Sequence, residues 1–278
     1  MAHPAILADD SAQVVDSGSE KLLGRRNGQV GWLIFNNPDR RNAVSLEMWQ
    51  AIPRVLSAFE ADPAVRAVVI AGAGGRSFVA GADISQFEAE RNSPEANERY
   101  KAVSGLGHAA LATLSKPLIA MIDGFCIGGG MSMAMACDLR FASESARFGI
   151  PAARLGLGYN YASVARLVSL VGPMHASDLL FTARQVSASE ALQMGLVNRV
   201  VPSAELEALV TEHAGMIAEN APLTIRASKL AIGQAISDPD SRDRAALEAA
   251  LHACFASADY AEGRRAFMEK RRPRFTGQ

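Results

Sequence analysis

The stretch that most constrains the fold of this chain runs from Lys116 to Gly158. It begins with a short apolar run, Leu118 to Ile122, which is closed by Asp-Gly and predicts a buried strand. Three glycines at 128–130 then precede a run of methionines and small residues, which predicts a buried helix. The chain must therefore pass from a strand region into a helix through a turn that carries no side chains.

This bare turn has two interpretations. A triple glycine can be a tight turn that lets a helix pack closely against a sheet. It can also be an anion site, because the first N–H groups of a helix have no intrahelical partner and lie at the positive end of its dipole. A developing oxyanion would be stabilised there in the same way. Spacing alone does not separate the two.

The rest of the pattern alternates strands and helices and ends in helices, which predicts an α/β fold with a parallel sheet and an appended helical unit. Asn27-Gly28 lies between two strand-like segments and predicts a hairpin. Ser45 is a cap for a predicted helix at 46–62. Another predicted helix, at 99–114, carries His108, which we interpret as structural or solvated.

The pattern divides the chain into three regions. Residues 1–18 are small, polar and acidic without periodicity, and we expect a disordered tail. Residues 19–205 contain the predicted strands and form the core. Residues 206–278 are almost entirely helical, and apolar residues such as Leu247 and Phe255 recur there at helical spacing. That apolar face predicts contacts between subunits.

Composition argues against several classes of protein. The chain has 28 basic and 29 acidic residues, so its total charge does not favour a nucleic-acid partner. It has no apolar stretch of membrane-spanning length, and its N-terminus does not resemble a secretory signal. Cys126, Cys137 and Cys254 are scattered, which predicts free thiols rather than a disulfide or a metal site. We expect a cytoplasmic protein that binds no metal and no membrane.

Six motifs occur in an order that is typical of one family. They are NPDRRNA at 37–43, FVAGADI at 78–84, KP at 116–117, GGG at 128–130, CDLR at 137–140 and EGRRAFMEKR at 262–271. Together, over about residues 20–275, they resemble the crotonase superfamily of enoyl-CoA hydratases and isomerases. The resemblance implies a crotonase-like spiral of ββα units with a C-terminal helical trimerisation region. It also implies a homotrimer or homohexamer and an acyl-CoA substrate, with coenzyme A present only as part of the thioester.

The resemblance implies roles for particular residues. The backbone N–H groups of Ala82 and Gly129 would hold the thioester oxygen, in agreement with the oxyanion interpretation of the glycine turn. Residues from three of the motifs would lie near the coenzyme A portion, with the last two contributed by a neighbouring subunit: Arg40, Arg41, Ala43, Ala80, Asp83, Ile84, Phe267 and Lys270.

The acid and base positions depart from the family pattern. Hydratases of the family have a glutamate two residues after the third glycine, where this chain has Ser132, and a second one after Phe-Gly-x-Pro, where it has Ala152. Hydration needs a base to draw a proton from water and an acid to protonate the α-carbon. Because both carboxylates are missing, we interpret Ser132, Tyr159, Asn160 and Tyr161 as candidate replacements.

Two functions of different kinds follow. The first is an acyl-CoA enzyme that stabilises a thioester enolate and catalyses isomerisation, decarboxylation, hydrolysis or a non-standard hydration. The alternative is an acyl-CoA-binding protein without turnover, in which the oxyanion site remains after the acid/base pair was lost. RNA binding, which some relatives show, is disfavoured by the balanced charge.

Overall fold

The computed structural model describes residues 3–83 and 93–278 of the chain. Its strands are β1 Gln13–Val15, β2 Leu22–Asn27, β3 Val30–Phe35, β4 Ala67–Gly72, β5 Ser77–Val79, β6 Leu118–Ile122, β7 Phe125–Ile127, β8 Leu139–Ser143, β9 Arg147–Gly149, β10 Gln185–Ser187 and β11 Arg199–Val201. Its helices are α1 Leu46–Ala61, α2 Pro94–Thr113, α3 Gly129–Ala136, α4 Tyr161–Thr182, α5 Ala188–Gln193, α6 Ser203–Ala218, α7 Pro222–Ala235, α8 Arg244–Ala256 and α9 Ala258–Met268.

The strands form two sheets that the chain visits in turn. The larger has the order β1-β2-β3-β4-β6-β8-β11, and the smaller has the order β10-β9-β7-β5. From β3 to β11 the larger sheet is parallel, whereas β1 and β2 are antiparallel at one edge. The successive units β4-β5-α2, β6-β7-α3 and β8-β9-α4 each place one strand in each sheet before a helix. This repeat confirms the predicted crotonase-like spiral of ββα units.

Local sequence signals explain the elements that surround the site. The Ser45 side chain accepts a hydrogen bond from the N–H of Met48 and caps α1, as predicted. The apolar face of α1, which includes Trp49 and Phe59, is buried against the sheet. Gly28 has a φ of 55° in the turn between β2 and β3, and this confirms the predicted hairpin. Strands β4 and β6 are buried along their whole length, as expected for parallel strands covered on both faces.

The N-terminal segment differs from the disordered tail that the sequence predicts. Residues Gln13–Val15 form β1, which pairs with β2. The N–H of Ala5 donates a hydrogen bond to the Glu207 carboxylate at 2.9 Å, and Ile6 is buried in the core. These contacts lie far apart in the sequence, so composition near the N-terminus gave no sign of them.

The C-terminal helices are attached to the core by polar contacts. The Lys229 ammonium on α7 donates to the Asp138 carboxylate and to the carbonyl of Lys116, both at 2.8 Å. Helices α7 and α8 bury none of their residues within the chain. Leu251 and Phe255 on α8 are exposed, so the predicted subunit-contact face is uncovered here. Across the described parts of the chain, no helix is long and apolar enough to span a membrane.

Candidate active site

The start of α3 and the loop after β5 face each other. Gly128 has a φ of 57°, and its N–H donates to the carbonyl of Gly149 at 2.9 Å. A Cβ placed on Gly129 would lie 3.7 Å from the Cα of Gly81 and 3.9 Å from the backbone nitrogen of Ala82. The backbone nitrogens of Ala82 and Gly129 therefore border the same small space, which we call the amide cradle.

Hydrogen bonds to a neighbouring segment fix the Ala82 side of the amide cradle. The N–H of Val44 donates to the carbonyl of Gly81 at 2.8 Å, and the N–H of Asp83 donates to the carbonyl of Val44 at 3.1 Å. The pairing engages the carbonyl of Gly81 and the N–H of Asp83, which flank the Ala82 N–H in the chain, and leaves the Ala82 N–H itself unused. Gly129 is the first residue of α3, where an N–H has no intrahelical acceptor. Among residues 3–83 and 93–278, neither N–H is seen to donate a backbone hydrogen bond, so both are available to an oxygen atom.

The two interpretations of the glycine turn apply to different glycines. A Cβ on Gly130 would lie 2.1 Å from the carbonyl oxygen of Val79, so this glycine is required for α3 to pack against β5. A Cβ on Gly129 would meet no atom closer than 3.7 Å. Gly130 is therefore the packing glycine, whereas the lack of a side chain at Gly129 leaves the amide cradle open.

Ser132 and Tyr159 form the side-chain wall of the site. Their hydroxyl oxygens lie 2.8 Å apart, although the residues come from α3 and from the loop before α4. Burial raises the pKa of the Tyr159 phenol, and the hydrogen bond with Ser132 offsets this only in part. The phenol is therefore protonated at neutral pH and is suited to donate a proton rather than to accept one.

The other candidate replacements lie differently. The Asn160 side chain accepts a hydrogen bond from the N–H of Ser163 at 2.9 Å and caps α4. Tyr161 is 86% exposed and takes no part in the Ser132–Tyr159 pair. Ala152 lies in a 3-10 helix at Pro151–Leu155 and packs against the core. This 3-10 helix borders the amide cradle, because a Cβ on Gly128 would lie 3.9 Å from Pro151.

The segments assigned to coenzyme A lie beside the amide cradle. Arg40 and Arg41 are exposed, and the Arg41 guanidinium lies 5.1 Å from the centre of the Phe125 ring. Ala43 is half-buried, and the N–H of Ala80 donates to the carbonyl of Arg41 at 3.1 Å. Asn42, which was not among the predicted site residues, is buried, and its amide donates to the carbonyls of Ala73 and Ser77. Its position among turn-forming residues gave no sign of this role.

The structure describes no contact between the amide cradle and the other three residues assigned to coenzyme A, which are Ile84, Phe267 and Lys270. Ile84 lies outside the described residues. Phe267 is 83% exposed on α9, and Lys270 is exposed just after this helix. Their assignment to the ligand of a neighbouring subunit stays a prediction.

A cavity of about 1140 Å³ continues from Ser132 between α2, α3, α4, α7 and α8. Helix α8 contributes only alanines to its wall. Polar side chains on the wall include His108, Asn160, Arg166 and Arg226. His108 packs against Trp49 with ring centres 4.6 Å apart, and burial lowers the pKa of its imidazole. This cavity has no local signal in the sequence, because the residues that line it are far apart in the chain.

The cysteines and possible metal ligands have no chemical role that the structure reveals. Cys126 and Cys137 are buried free thiols, and Cys254 is a partly buried one. Burial raises the pKa of Cys137 to about 12, so this thiol stays protonated. In the described portion of the chain, no group of three His, Cys, Asp or Glu side chains is arranged to hold a metal ion.

The spiral of ββα units and the amide cradle define an α/β protein in which the backbone nitrogens of Ala82 and Gly129 border one small space. The family model for enoyl-CoA hydratase/isomerase matches residues 25–278. This chain therefore belongs to the enoyl-CoA hydratase/isomerase family.

Relatives and solved structures agree with this membership. The chain is 38% identical to a short-chain-enoyl-CoA hydratase of Clostridium acetobutylicum over 251 residues, which cover 90% of this chain and 95% of the relative. It is 37% identical to a crotonyl-CoA hydratase of Syntrophomonas wolfei over 256 residues, with coverage of 92% and 98%. The crystal structure of an enoyl-CoA hydratase/carnithine racemase from Magnetospirillum magneticum matches with a TM-score of 0.88 at 33% identity, covering 94% of this chain and 97% of that one.

Proposed function

We propose that this chain is an acyl-CoA lyase that stabilises a thioester enolate in the amide cradle and protonates the enolate with Tyr159. The observation that carries the proposal is the 2.8 Å contact between Ser132 and Tyr159. Ser132 follows Gly129 by three residues on α3, so the contact lies about 4.5 Å along the helix axis from the amide cradle. The proton donor is thus close to the carbon atom next to the thioester carbonyl.

The chemistry of the Ser132–Tyr159 pair selects among the four reactions that the sequence leaves open. Isomerisation needs a base to remove a proton from carbon, and hydration and hydrolysis need one to activate water. At neutral pH neither Ser132 nor the protonated phenol of Tyr159 serves as such a base. Decarboxylation needs none, because the electrons of the breaking carbon–carbon bond form the enolate directly. The geometry therefore supports decarboxylation best.

The proposed reaction balances without a further reactant. A 2-carboxyacyl-CoA binds with its thioester oxygen between the N–H groups of Ala82 and Gly129. The bond from the α-carbon to the carboxylate breaks, carbon dioxide leaves, and the negative charge moves to the thioester oxygen. Tyr159 then donates its proton to the α-carbon and regains one from solvent, while Ser132 holds the phenol in position. The product is the saturated acyl-CoA.

The rival functions rest on specific observations. The two relatives described above are named as hydratases, which favours hydration. Ser132 and Ala152 at the two glutamate positions argue against ordinary hydration and leave binding without turnover as the second candidate.

Purified protein tests the proposal with a panel of CoA thioesters. Malonyl-CoA, methylmalonyl-CoA and ethylmalonyl-CoA are compared with crotonyl-CoA, and products are identified by mass spectrometry. We expect loss of carbon dioxide from at least one 2-carboxyacyl-CoA and very weak hydration of crotonyl-CoA.

Two variants test the role of Tyr159 in the same assay. Tyr159→Phe removes the proton donor and should lower turnover about 10²-fold or more. Ser132→Ala should have a milder effect, because Ser132 only positions the phenol. Binding of every thioester without any turnover would support the second candidate, and rapid hydration of crotonyl-CoA would contradict the proposed chemistry.

A further inference from the structure

The cavity beyond Ser132 is larger than the reacting atoms need. Its volume is about 1140 Å³, slightly above the usual range of about 300–1,000 Å³ for small-molecule sites. An acyl chain whose thioester lies in the amide cradle reaches Ser132 within about 4.5 Å, the length of three helical residues. The cavity, which Ser132 lines, is therefore within reach of the remainder of the acyl group.

Two arginines on the cavity wall have unused hydrogen-bond donors. The Arg166 Nε donates to the carbonyl of Met135 at 2.9 Å. A guanidinium has five N–H donors, and within residues 3–83 and 93–278 no acceptor is seen for the other four. Arg226 forms no ion pair with any residue in these two ranges. Among these described residues neither guanidinium has an acidic partner, and Arg226 is exposed at the edge of the cavity, so both cations can contact an anion there.

The only carboxylate on the described part of the wall does not offset these charges. Asp138 accepts hydrogen bonds from the Lys229 ammonium at 2.8 Å and from the N–H of Leu118 at 2.7 Å. Its charge is already matched by Lys229. Arg166 and Arg226 therefore leave the described wall with an excess of positive charge.

His108 adds a neutral polar group. It is on the cavity wall, and its nitrogens form no hydrogen bond with the residues that the structure describes. A plain hydrocarbon chain would cover this imidazole and the two guanidinium groups without accepting their hydrogen bonds, which is unfavourable. A carboxylate accepts paired hydrogen bonds from arginine and would satisfy them.

We infer that the cavity recognises an acyl chain with a second, distal carboxylate, held by Arg166 and Arg226 with His108 as a further hydrogen-bond partner. The inference rests on the proposed function only in placing the thioester between Ala82 and Gly129. It adds a substrate class, the CoA thioesters of dicarboxylic acids. Arg154, another arginine near the site, does not line the cavity.

Calorimetric titration with unreactive saturated thioesters tests the inference. Adipoyl-CoA and hexanoyl-CoA have the same chain length and differ in the distal carboxylate, and glutaryl-CoA and suberyl-CoA vary its reach. We expect at least one dicarboxylic thioester to bind about tenfold or more tighter than its monocarboxylic match, because hydrogen bonds to charged groups are strong. The double variant Arg166→Gln/Arg226→Gln should bring this ratio close to one. Arg244→Gln, an exposed arginine on α8 outside the cavity, is the matched control and should preserve it.

The outcomes separate this inference from the proposed function. A ratio near one for every chain length, or a preference that the double variant leaves intact, would overturn the inference. A preference in a protein that decarboxylates no thioester would support the inference and reject the proposed reaction. Decarboxylation without any preference for a distal carboxylate would support the proposed reaction and overturn the inference.

Discussion

The amide cradle and the side-chain wall of the site are built in different ways. The amide cradle consists of backbone held by the pairing of Val44 with Gly81 and Asp83 and by the packing of α3 against β5. The wall consists of side chains, chiefly the Ser132–Tyr159 pair, which no backbone pairing requires. The fold therefore preserves the first, whereas the second can change its chemistry without changing the fold. A member of the family can therefore keep the shared architecture while side chains on the wall, such as Ser132, differ.

The largest effect is expected from a substitution that removes the Gly129 N–H from the amide cradle and keeps helix α3. Gly129→Pro deletes the N–H at the first position of α3, where proline is tolerated in helices. Loss of one preorganised donor should lower turnover about 10²- to 10³-fold, roughly 2.7–4 kcal/mol. Turnover of the best thioester is measured, with circular dichroism to verify the fold.

Arg244→Pro places the same residue at the first position of α8 and is the matched control. It should keep its turnover if the loss in Gly129→Pro arises at the amide cradle. Folded Gly129→Pro protein with full turnover would remove Gly129 from the mechanism and would end the distinction between the two halves of the site.

A second substitution tests whether the fold itself holds the amide cradle. In Gly130→Ala the new methyl group would lie 2.1 Å from the carbonyl oxygen of Val79, so α3 or β5 must move. Overpacking of this kind costs about 1–3 kcal/mol, and we expect a clear fall in the melting temperature. The measurement is thermal unfolding followed by circular dichroism.

Gly129→Ala is the comparison for Gly130→Ala, because its methyl group would meet nothing closer than 3.7 Å. We expect its melting temperature to stay near that of the parent chain while its turnover falls, since the methyl group enters the amide cradle. Equal melting temperatures for both variants would contradict the division between a packing glycine and a site glycine.

The smallest expected effect is that of pH on turnover, which tests whether Tyr159 acts in its protonated form. Burial raises the pKa of Tyr159 above its ordinary value of 10, so the phenol is protonated at every lower pH. A reaction that needs the protonated form should keep its rate as pH rises and lose it only as pH passes through the raised pKa. We expect turnover to change less than about twofold between pH 7 and 9 on this account. A rate that climbs steadily over this range would instead indicate that the phenolate acts as a base.

Much of the fold could be predicted because its signals are local. The apolar run at 118–122, the turn at Asn27-Gly28 and the cap at Ser45 each lie within a few residues of the element that they define. The amide cradle could be anticipated only with the family resemblance, since Ala82 and Gly129 are far apart in the chain. The helix dipole explains why Gly129 is suited to the role, but it does not identify the partner.

The wall and the cavity could not be predicted in the same way. Ser132 and Tyr159 come together only because the loop before α4 folds back onto α3. No residue near His108 in the sequence indicates a cavity. The walls of the cavity come from five helices that are separate in the chain. The N-terminal segment is likewise held in place by contacts with β2 and Glu207, which are remote in sequence.

The bridge between Val44 and the Ala82 segment has a mechanical consequence. Arg41 and Val44 belong to the loop that we assign to the nucleotide end of the thioester, and their backbones are hydrogen-bonded to Ala80, Gly81 and Asp83. Backbone hydrogen bonds therefore connect this loop directly to one edge of the amide cradle. If this loop binds the nucleotide as we propose, that binding would also restrict the Ala82 amide, so that a part of the substrate remote from the reaction would help to position the thioester carbonyl.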